Sequence, residues 1–175
     1  FGNGGALTLR AGRSILINAA IITDSSDFNA IANDFASSGV VDAFRDAGDA
    51  VISFGPGGSI GAGFGFVNLS ILAGDDKTFS SSGAISVGSI TGRAISIVNQ
   101  GSSGNRAVNI NTGALLTGVT AGDAIVIDSD VFTNNAGAGA FNLVGGGRFL
   151  VYSTDYDVIN RGGLIGNNLY NLTPA

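Results

Sequence analysis

Apolar residues alternate with polar or small residues in many short stretches of this chain. One unit recurs: a glycine, one or two small or polar residues, then alternating apolar positions. Five copies of this unit begin at Gly12, Gly48, Gly92, Gly122 and Gly147. A period of two places apolar side chains on one face of a strand and polar ones on the other. The pattern therefore predicts a series of short β-strands separated by glycine-containing corners.

Further strand candidates lie between these units. They are residues 6–9, 67–72, 84–87, 107–110 and 140–144. A β-sandwich built from such strands would need hairpins with Asn-Gly or Asp-Gly turns, and Asn3-Gly4 alone has that sequence. A parallel β-helix needs no hairpins, because each strand turns a corner into the next face and pairs with the coil above. The sequence therefore predicts an all-β fold, a single right-handed parallel β-helix (solenoid) over residues 1–175.

The strand alternation stops in residues 25–47, where Phe28, Ile31, Phe35 and then Phe44 follow helical spacing. We therefore expect a short helical insertion of one or two helices. Phe28, Phe35 and Phe44 are its candidate interface residues. They either pack on the flank of the solenoid and shield an exposed rung, or face another subunit in a self-associated form.

The amino-acid composition limits the kinds of catalysis and binding that the chain can perform. The chain has 29 glycines, no histidine and no cysteine, and its 13 acidic residues are all aspartate. Aspartate, asparagine, serine and glycine favour turns. Without histidine or cysteine, neither a serine triad nor a typical zinc site can form, so we expect no enzyme and no cofactor. The net charge of −5, scattered arginines and short apolar runs predict neither a nucleic-acid partner nor membrane insertion.

Paired aspartates are the main candidates for chemistry. Asp75-Asp76 resembles the paired-aspartate motif of pectin-hydrolysing β-helix enzymes, but the histidine motif of those enzymes is missing. Two other pairs have the spacing that puts both carboxylates on one side of a strand: Asp128/Asp130 and Asp155/Asp157. These could hold calcium, yet the aspartate-rich loops of known calcium motifs are missing. A solvated corner is the favoured interpretation of Asp75-Asp76, and calcium is the disfavoured interpretation of the other two pairs.

Two surface features are candidates for ligand binding. Tyr152, Tyr156 and Tyr170 cluster near the end of the chain and could stack against sugar rings, with plain packing as the alternative. A row of outward polar residues could bind carbohydrate or ice, or simply be solvated. Its members are Thr8, Asn18, Ser70, Ser86, Ser96 and Asn109.

Residues 147–155 read Gly-Arg-Phe-Leu-Val-Tyr-Ser-Thr-Asp, followed by Arg-Gly-Gly-Leu at 161–164 and Asn-Leu-Tyr at 168–170. This segment resembles large exoproteins of the filamentous haemagglutinin type, and residues 5–21 look like one coil of their repetitive shaft. The resemblance implies a two-partner secretion substrate. Such a protein passes through an outer-membrane pore and folds outside the cell as a long right-handed β-helix used for adhesion, biofilm or contact.

The sequence therefore predicts a non-enzymatic structural or adhesive segment of a secreted surface exoprotein. Because the chain begins with Phe1 rather than methionine, we expect it to be an internal piece of a larger protein. The resemblance implies the surface of a Gram-negative bacterium, a secretion pore as one partner, and a glycan or surface receptor as another. The alternative is a carbohydrate-active or carbohydrate-binding β-helix protein.

Overall fold

The computed structural model describes residues 5–35, 39, 41–73, 82–101, 106–154 and 159–166. Their strands form three parallel sheets. Sheet A contains β1 (Leu7–Arg10), β4 (Phe28–Ala32), β7 (Val67–Ile71), β10 (Ile95–Asn99), β13 (Asp123–Ser129) and β16 (Arg148–Ser153). Sheet B contains β2 (Ile15–Ile17), β5 (Ala50–Phe54), β8 (Ser82–Val87), β11 (Ala107–Ile110) and β14 (Val131–Asn134). Sheet C contains β3 (Ala20–Ile22), β6 (Ser59–Gly61), β9 (Ser89–Gly92), β12 (Leu116–Gly118) and β15 (Phe141–Leu143).

The chain visits the three sheets in rotation, and every third strand returns to the same sheet beside its predecessor. We call one passage through sheets A, B and C a rung. Rung length is irregular: 21 residues separate Thr8 from its neighbour Asn29, and 39 separate Asn29 from Asn68. This all-β arrangement of stacked parallel sheets is consistent with a parallel β-helix.

Inward side chains form columns that run through each sheet. In sheet A the members of one column are Leu7, Phe28, Val67, Ile95, Ile125 and Phe149. In sheet B they are Ile15, Ile52, Ile85, Val108 and Phe132, and in sheet C Ile21, Ile60, Ile90, Leu116 and Phe141. The middle members are completely buried. Since burying one such side chain stabilises a fold by about 1.5–3 kcal/mol, these columns are its main source of stability.

Glycines at the corners allow close approach between rungs. A Cβ atom at Gly58 would lie 2.0 Å from the carbonyl oxygen of Ile17, and one at Gly145 would lie 2.2 Å from that of Val119. No side chain fits at such distances. Of the glycines of the recurring unit, Gly147 is held to the same requirement, with a Cβ 2.4 Å from the carbonyl oxygen of Thr120, whereas a Cβ at Gly122 would meet no atom within 4 Å.

The predicted helical insertion is wrong. Phe28 begins β4, is completely buried, and pairs in register with Leu7 and Val67 in sheet A. The inward positions after Phe28 are Ala30 and Ala32, whereas Ile31 lies on the outward side. Because the inward residues are small and the outward residue is large, the hydrophobic pattern of this strand does not show a period of two.

The described residues of the rest of that segment, here called the loop, form no β-strand. In it, Phe35 is half-buried just after β4, and a 3-10 turn spans Asp42–Phe44. The Phe44 side chain is 84% exposed. Of the three candidate interface residues, Phe28 is therefore a core residue, and Phe44 is the one that solvent reaches most freely.

Arginines fasten this loop to the first rung. Arg10 bonds both carboxylate oxygens of the buried Asp34, with Nε at 2.6 Å from Oδ2. Arg45 donates to the backbone carbonyl oxygens of Gly12 and Asp34. The loop is therefore held by charge-assisted bonds rather than by the phenylalanines expected to anchor it.

The strand predictions fare better. The candidates at 67–72, 84–87 and 107–110 coincide with β7, β8 and β11, and the alternating apolar residues Ile85/Val87 and Ile95/Ile97 are buried, as a period of two predicts. All described strand pairs are parallel, as the lack of hairpin signals indicated. Within the described part of the chain, no helix has the length and hydropathy needed to cross a membrane.

Adjacent residues on β10 test the column packing. Ile97 is completely buried, whereas its neighbour Val98 lies on the outward side. Ile97→Ala is expected to lower the free energy of unfolding by about 2–5 kcal/mol, because it opens a cavity in a packed column. Val98→Ala, the matched control, should change it by about 0.5 kcal/mol. Urea unfolding followed by circular dichroism measures both, and equal losses would contradict the assigned strand faces.

Candidate ligand-binding surface

Of the three candidate tyrosines, Tyr152 lies in β16, and Tyr156 and Tyr170 lie outside the described residues. Tyr152 is half-buried on the outward side of sheet A. It is in register with Asp128 of β13, and its neighbour Leu150 is in register with Val126. These four residues form an outward patch, here called the Tyr152 patch, with one aromatic, two aliphatic and one acidic side chain.

A nearly buried ion pair lies at the adjoining corner between sheets A and B. Asp130 is 8% exposed and accepts a bond from Arg106 Nε at 2.9 Å. A second guanidinium nitrogen of Arg106 also bonds this carboxylate, and Thr154 Oγ1 donates to it at 2.6 Å. The bond to Asp130 raises the pKa of the Arg106 guanidinium, so the guanidinium stays charged. Its geometry leaves the Asp130 carboxylate occupied by structural bonds.

The Asp128 carboxylate is in a different environment. Partial burial raises its pKa above the ordinary 3.8; Arg106 opposes that shift and Asp130 adds to it. A carboxylate beside a tyrosine accepts hydrogen bonds from hydroxyl groups, and the tyrosine hydroxyl both donates and accepts them. The chemistry available at the Tyr152 patch is therefore recognition of a polyhydroxylated ligand.

Metal binding has less support here. Within the described ranges, no group of three His, Cys, Asp or Glu side chains could hold a metal ion. Asp130, one member of the candidate calcium pair, is already bonded to Arg106 and Thr154. The pairs Asp75-Asp76 and Asp155/Asp157 lie outside the described residues.

The predicted outward polar row is divided between two sheets. Thr8 and Ser96 share a column of sheet A with Asn29 and Asn68, whose side chains bond each other at 2.9 Å. In sheet B, Asn109 Nδ2 donates to Ser86 Oγ at 3.3 Å, and Ser53 and Thr133 extend that column. The row is therefore two separate ladders on different faces.

A shallow groove of about 460 Å³ lies between the loop and the outward side of sheet B. Its apolar wall includes Leu16, Val41 and Phe44, and its polar wall includes Arg13 and Arg45. Both arginines already bond backbone carbonyl oxygens, Arg13 that of Asp49 and Arg45 that of Gly12. Few donors therefore point into the groove, so the Tyr152 patch is the stronger candidate for ligand binding.

Sequence reasoning missed the Arg106–Asp130 and Arg10–Asp34 pairs. In both, 24 residues separate the partners, which places them on neighbouring rungs. The sequence signal for these pairs is an arginine followed by an aspartate one rung later, at the same interval in both pairs. Because the rungs differ in length, the sequence does not show which interval corresponds to one rung.

Comparison with known proteins gives no relative. No family model matches the chain, and neither the curated proteins nor the solved structures include a significant match. The resemblance to filamentous haemagglutinin-type exoproteins therefore stays a prediction.

Substituting Arg106 and Arg148 compares the stability contribution of a nearly buried ion pair with that of an exposed one. Arg106→Gln removes the guanidinium from a carboxylate that is 8% exposed, and should cost about 1–3 kcal/mol of unfolding free energy. Arg148 pairs with Asp123 at the surface, with side chains 71% and 44% exposed, so Arg148→Gln should destabilise the protein much less than Arg106→Gln. Thermal and urea unfolding of both variants measures the difference. A larger loss for Arg148→Gln would refute the ranking.

Asp128 should make stability depend on pH. A raised pKa means that the folded state binds the proton more tightly than the unfolded state, so this contribution to stability falls as pH rises above 3.8. Asp128→Asn should therefore match the stability of the wild type near about pH 3 and become more stable than the wild type toward about pH 7. Asp46→Asn, which removes an exposed loop carboxylate, is the control. Melting curves across that range test this, and a variant that loses stability at neutral pH would contradict it.

Proposed function

We propose that this chain is part of a right-handed parallel β-helical shaft from a large secreted bacterial exoprotein, with a structural or adhesive role and no enzymatic activity. The observation that carries the proposal is the set of inward apolar columns. They run through all three sheets from β1 to β16, and parallel pairing accompanies them throughout. A solenoid built in this way extends by adding rungs, without any change in its core.

A secreted shaft agrees with the chemistry of the chain. It contains no cysteine or histidine, and its arginines at positions 10, 106 and 148 all bond aspartates in ion pairs. Each rung needs only its neighbour, so such a protein can fold progressively as it leaves a secretion pore. The resemblance of residues 147–155 to filamentous haemagglutinin-type exoproteins supports this route and a location at the surface of a Gram-negative cell.

The adhesive part of the proposal is assigned to the Tyr152 patch. An aromatic face next to aliphatic side chains suits the apolar face of a sugar, and the Asp128 carboxyl suits its hydroxyl groups. A surface glycan, free or on a receptor, is therefore the proposed ligand.

Deleting one whole rung tests the solenoid. Val67 and Ile95 share a column, so removal of residues 67–94 brings Ile95 to the position of Val67 and lets β10 pair with β4. A solenoid should tolerate this loss, with a cooperative transition and a strand-rich circular dichroism spectrum at lower stability.

A shorter deletion is the control for that experiment. Removal of residues 67–81 takes one strand from sheet A and leaves β8 and β9 without a connection of the required length. It should unfold the chain although fewer residues are lost. If the longer deletion is as damaging as the shorter one, the shaft proposal is wrong.

The second candidate function is a carbohydrate-binding or carbohydrate-active protein independent of any shaft. The Tyr152–Asp128 register pair favours it. Tyr152→Ser should abolish glycan-array binding while leaving the melting temperature within a few degrees, because the side chain lies on the outward face. Phe64→Ser, at an aromatic residue that is 74% exposed elsewhere, is the matched control.

The two candidate functions also differ in whether the bound glycan is cleaved. Binding lost in Tyr152→Ser but kept in Phe64→Ser, without cleavage of the glycan, supports the adhesive role. Cleavage of any bound glycan that disappears in Asp128→Asn would establish the enzymatic alternative. Equal binding by both variants and the wild type would remove the Tyr152 patch from consideration.

A further inference from the structure

Apolar side chains surround the carboxylate of the Tyr152 patch. Asp128 is half-buried on the outward side of β13, in register with Val98 of β10 on one side and Tyr152 of β16 on the other. Val126 precedes it by two residues and faces the same way. Because neighbouring strands lie about 4.8 Å apart, Val98 and Tyr152 flank this carboxylate closely. A charge shielded from water in this way attracts an opposite charge more strongly than it would in water.

In the part of the chain that the structure describes, no group donates a hydrogen bond to the Asp128 carboxylate. The neighbouring donors are used elsewhere, since Arg106 and Thr154 both bond the Asp130 carboxylate. A partly buried charge without a hydrogen-bond partner costs free energy. A ligand that brings a donor to Asp128 removes that cost, so the patch favours a ligand with a hydrogen-bond donor at this point.

The charges around the patch leave Asp128 as the unbalanced one. Arg106 pairs with Asp130, and Arg148 pairs with Asp123. Arg106 also attracts Asp128, but burial has the larger effect, so the pKa of the Asp128 carboxyl is raised. The chain as a whole carries a net charge of −5. An anionic sugar is therefore repelled here, a neutral sugar leaves the carboxylate without a counter-charge, and a cationic sugar complements it.

Tyr152 adds a second group that favours a cation. The face of an aromatic ring attracts an ammonium group that lies within about 6 Å of the ring centre. In the adjoining outward column, Val126 and Leu150 are register partners and form an apolar surface. Such a surface suits the C–H face of a sugar ring. The patch therefore offers a place for a positive charge beside a place for an apolar ring face.

We propose that the Tyr152 patch binds sugars that carry a free amine, with the protonated amine between the Asp128 carboxylate and the Tyr152 ring. This inference rests on the proposed glycan-binding role of the patch and names the class of sugar. The ammonium group donates to the carboxylate, and the sugar ring packs on Val126 and Leu150. N-acetylation of the amine removes its charge, so N-acetylated sugars bind more weakly.

The Asp128 carboxylate also lowers the stability of the fold. Since partial burial raises the pKa of Asp128, asparagine at this position is expected to make the folded state more stable at neutral pH. Residues that bind ligands commonly carry such a cost, because they are arranged for the ligand rather than for the fold. A cationic ligand offsets the cost when it binds, which is a physical reason for a carboxylate among these apolar side chains.

A lysine side chain of a partner protein carries the same ammonium group, but the patch suits a sugar better. Its two outward columns are fixed about 7 Å apart along the strands. A sugar ring holds its amine at a fixed distance from its apolar face, whereas the flexible lysine stem loses rotamer freedom on binding. A rigid ligand therefore contacts both columns at a lower entropic cost.

Three matched sugars test the proposal with the whole chain: β-1,4-linked trimers of glucosamine, N-acetylglucosamine and glucose. Titration calorimetry at about pH 6, where the amine is protonated, measures their affinities. The glucosamine trimer should bind about tenfold more tightly than the other two, as expected for one hydrogen bond to a charged group. Added salt should weaken its binding and leave that of the glucose trimer unchanged.

Asp128→Asn keeps the size of the side chain and one acceptor oxygen but removes the charge. It should lower the affinity for the glucosamine trimer about tenfold and leave that for the glucose trimer within about twofold. Asp46→Asn is the matched control, because it removes a negative charge from an exposed position outside the patch and should change neither affinity. Circular dichroism melting shows whether each variant is folded. If Asp128→Asn does not fold, the salt dependence of the wild type decides.

The outcomes separate this inference from the glycan-binding role on which it rests. Tyr152→Ser should bind none of the three sugars. If the wild type binds all three equally and Tyr152→Ser binds none, the patch binds glycans and the amine inference is wrong. If Tyr152→Ser binds as tightly as the wild type, or the wild type binds no sugar, the glycan-binding role itself fails and the amine inference fails with it.

A lysine-rich peptide is the last comparison. It should bind the wild type more weakly than the glucosamine trimer does. Tighter binding of the peptide, lost in Asp128→Asn, would assign the patch to a protein partner and overturn the inference.

Discussion

Stacking of inward apolar side chains between neighbouring parallel strands is the interaction on which the rest of this structure depends. A shift of one residue in any strand would turn its apolar set to solvent, so each column fixes the register of the strand that joins it. The column of Phe28, Val67 and Ile95 is completely buried for this reason. Between strands the chain is far less constrained, and rungs of very different length therefore share one core.

Corners present the opposite problem, because the chain leaves the sheet there and its backbone groups still need partners. Buried asparagines supply them. Asn99, which is completely buried, donates from Nδ2 to the carbonyl oxygens of Gly83 and Ala107 and accepts from Gly101 N. Asn134 does the same at a later corner with Gly137 O. Short amide side chains reach the backbone at a tight corner, which explains a composition rich in asparagine and without glutamate.

The sequence predicts the strands well where the inward residues are large. Ile85/Val87 and Ile95/Ile97 have an unambiguous period of two, and both pairs are buried. The prediction failed at β4, because Ala30 and Ala32 are inward and Ile31 is outward, so apolar size no longer reports the buried face. The parallel pairing was predictable from the missing hairpin turns. The pairing partners were not, because a rung of irregular length leaves no fixed interval to search for.

The candidate ligand surface was harder to predict for a related reason. Tyr152 and Asp128 are neighbours only because β13 and β16 pair in register, and no local motif joins them. In a stack of rungs, every surface patch combines residues from separate strands, and the intervals between those strands vary. The variation has a structural benefit: the loop that follows β4 makes its rung long, yet β4 still pairs with β7 over its whole length. Loops can therefore change at the corners while the outward faces keep their arrangement, so a binding patch can evolve on one rung without disturbing the next.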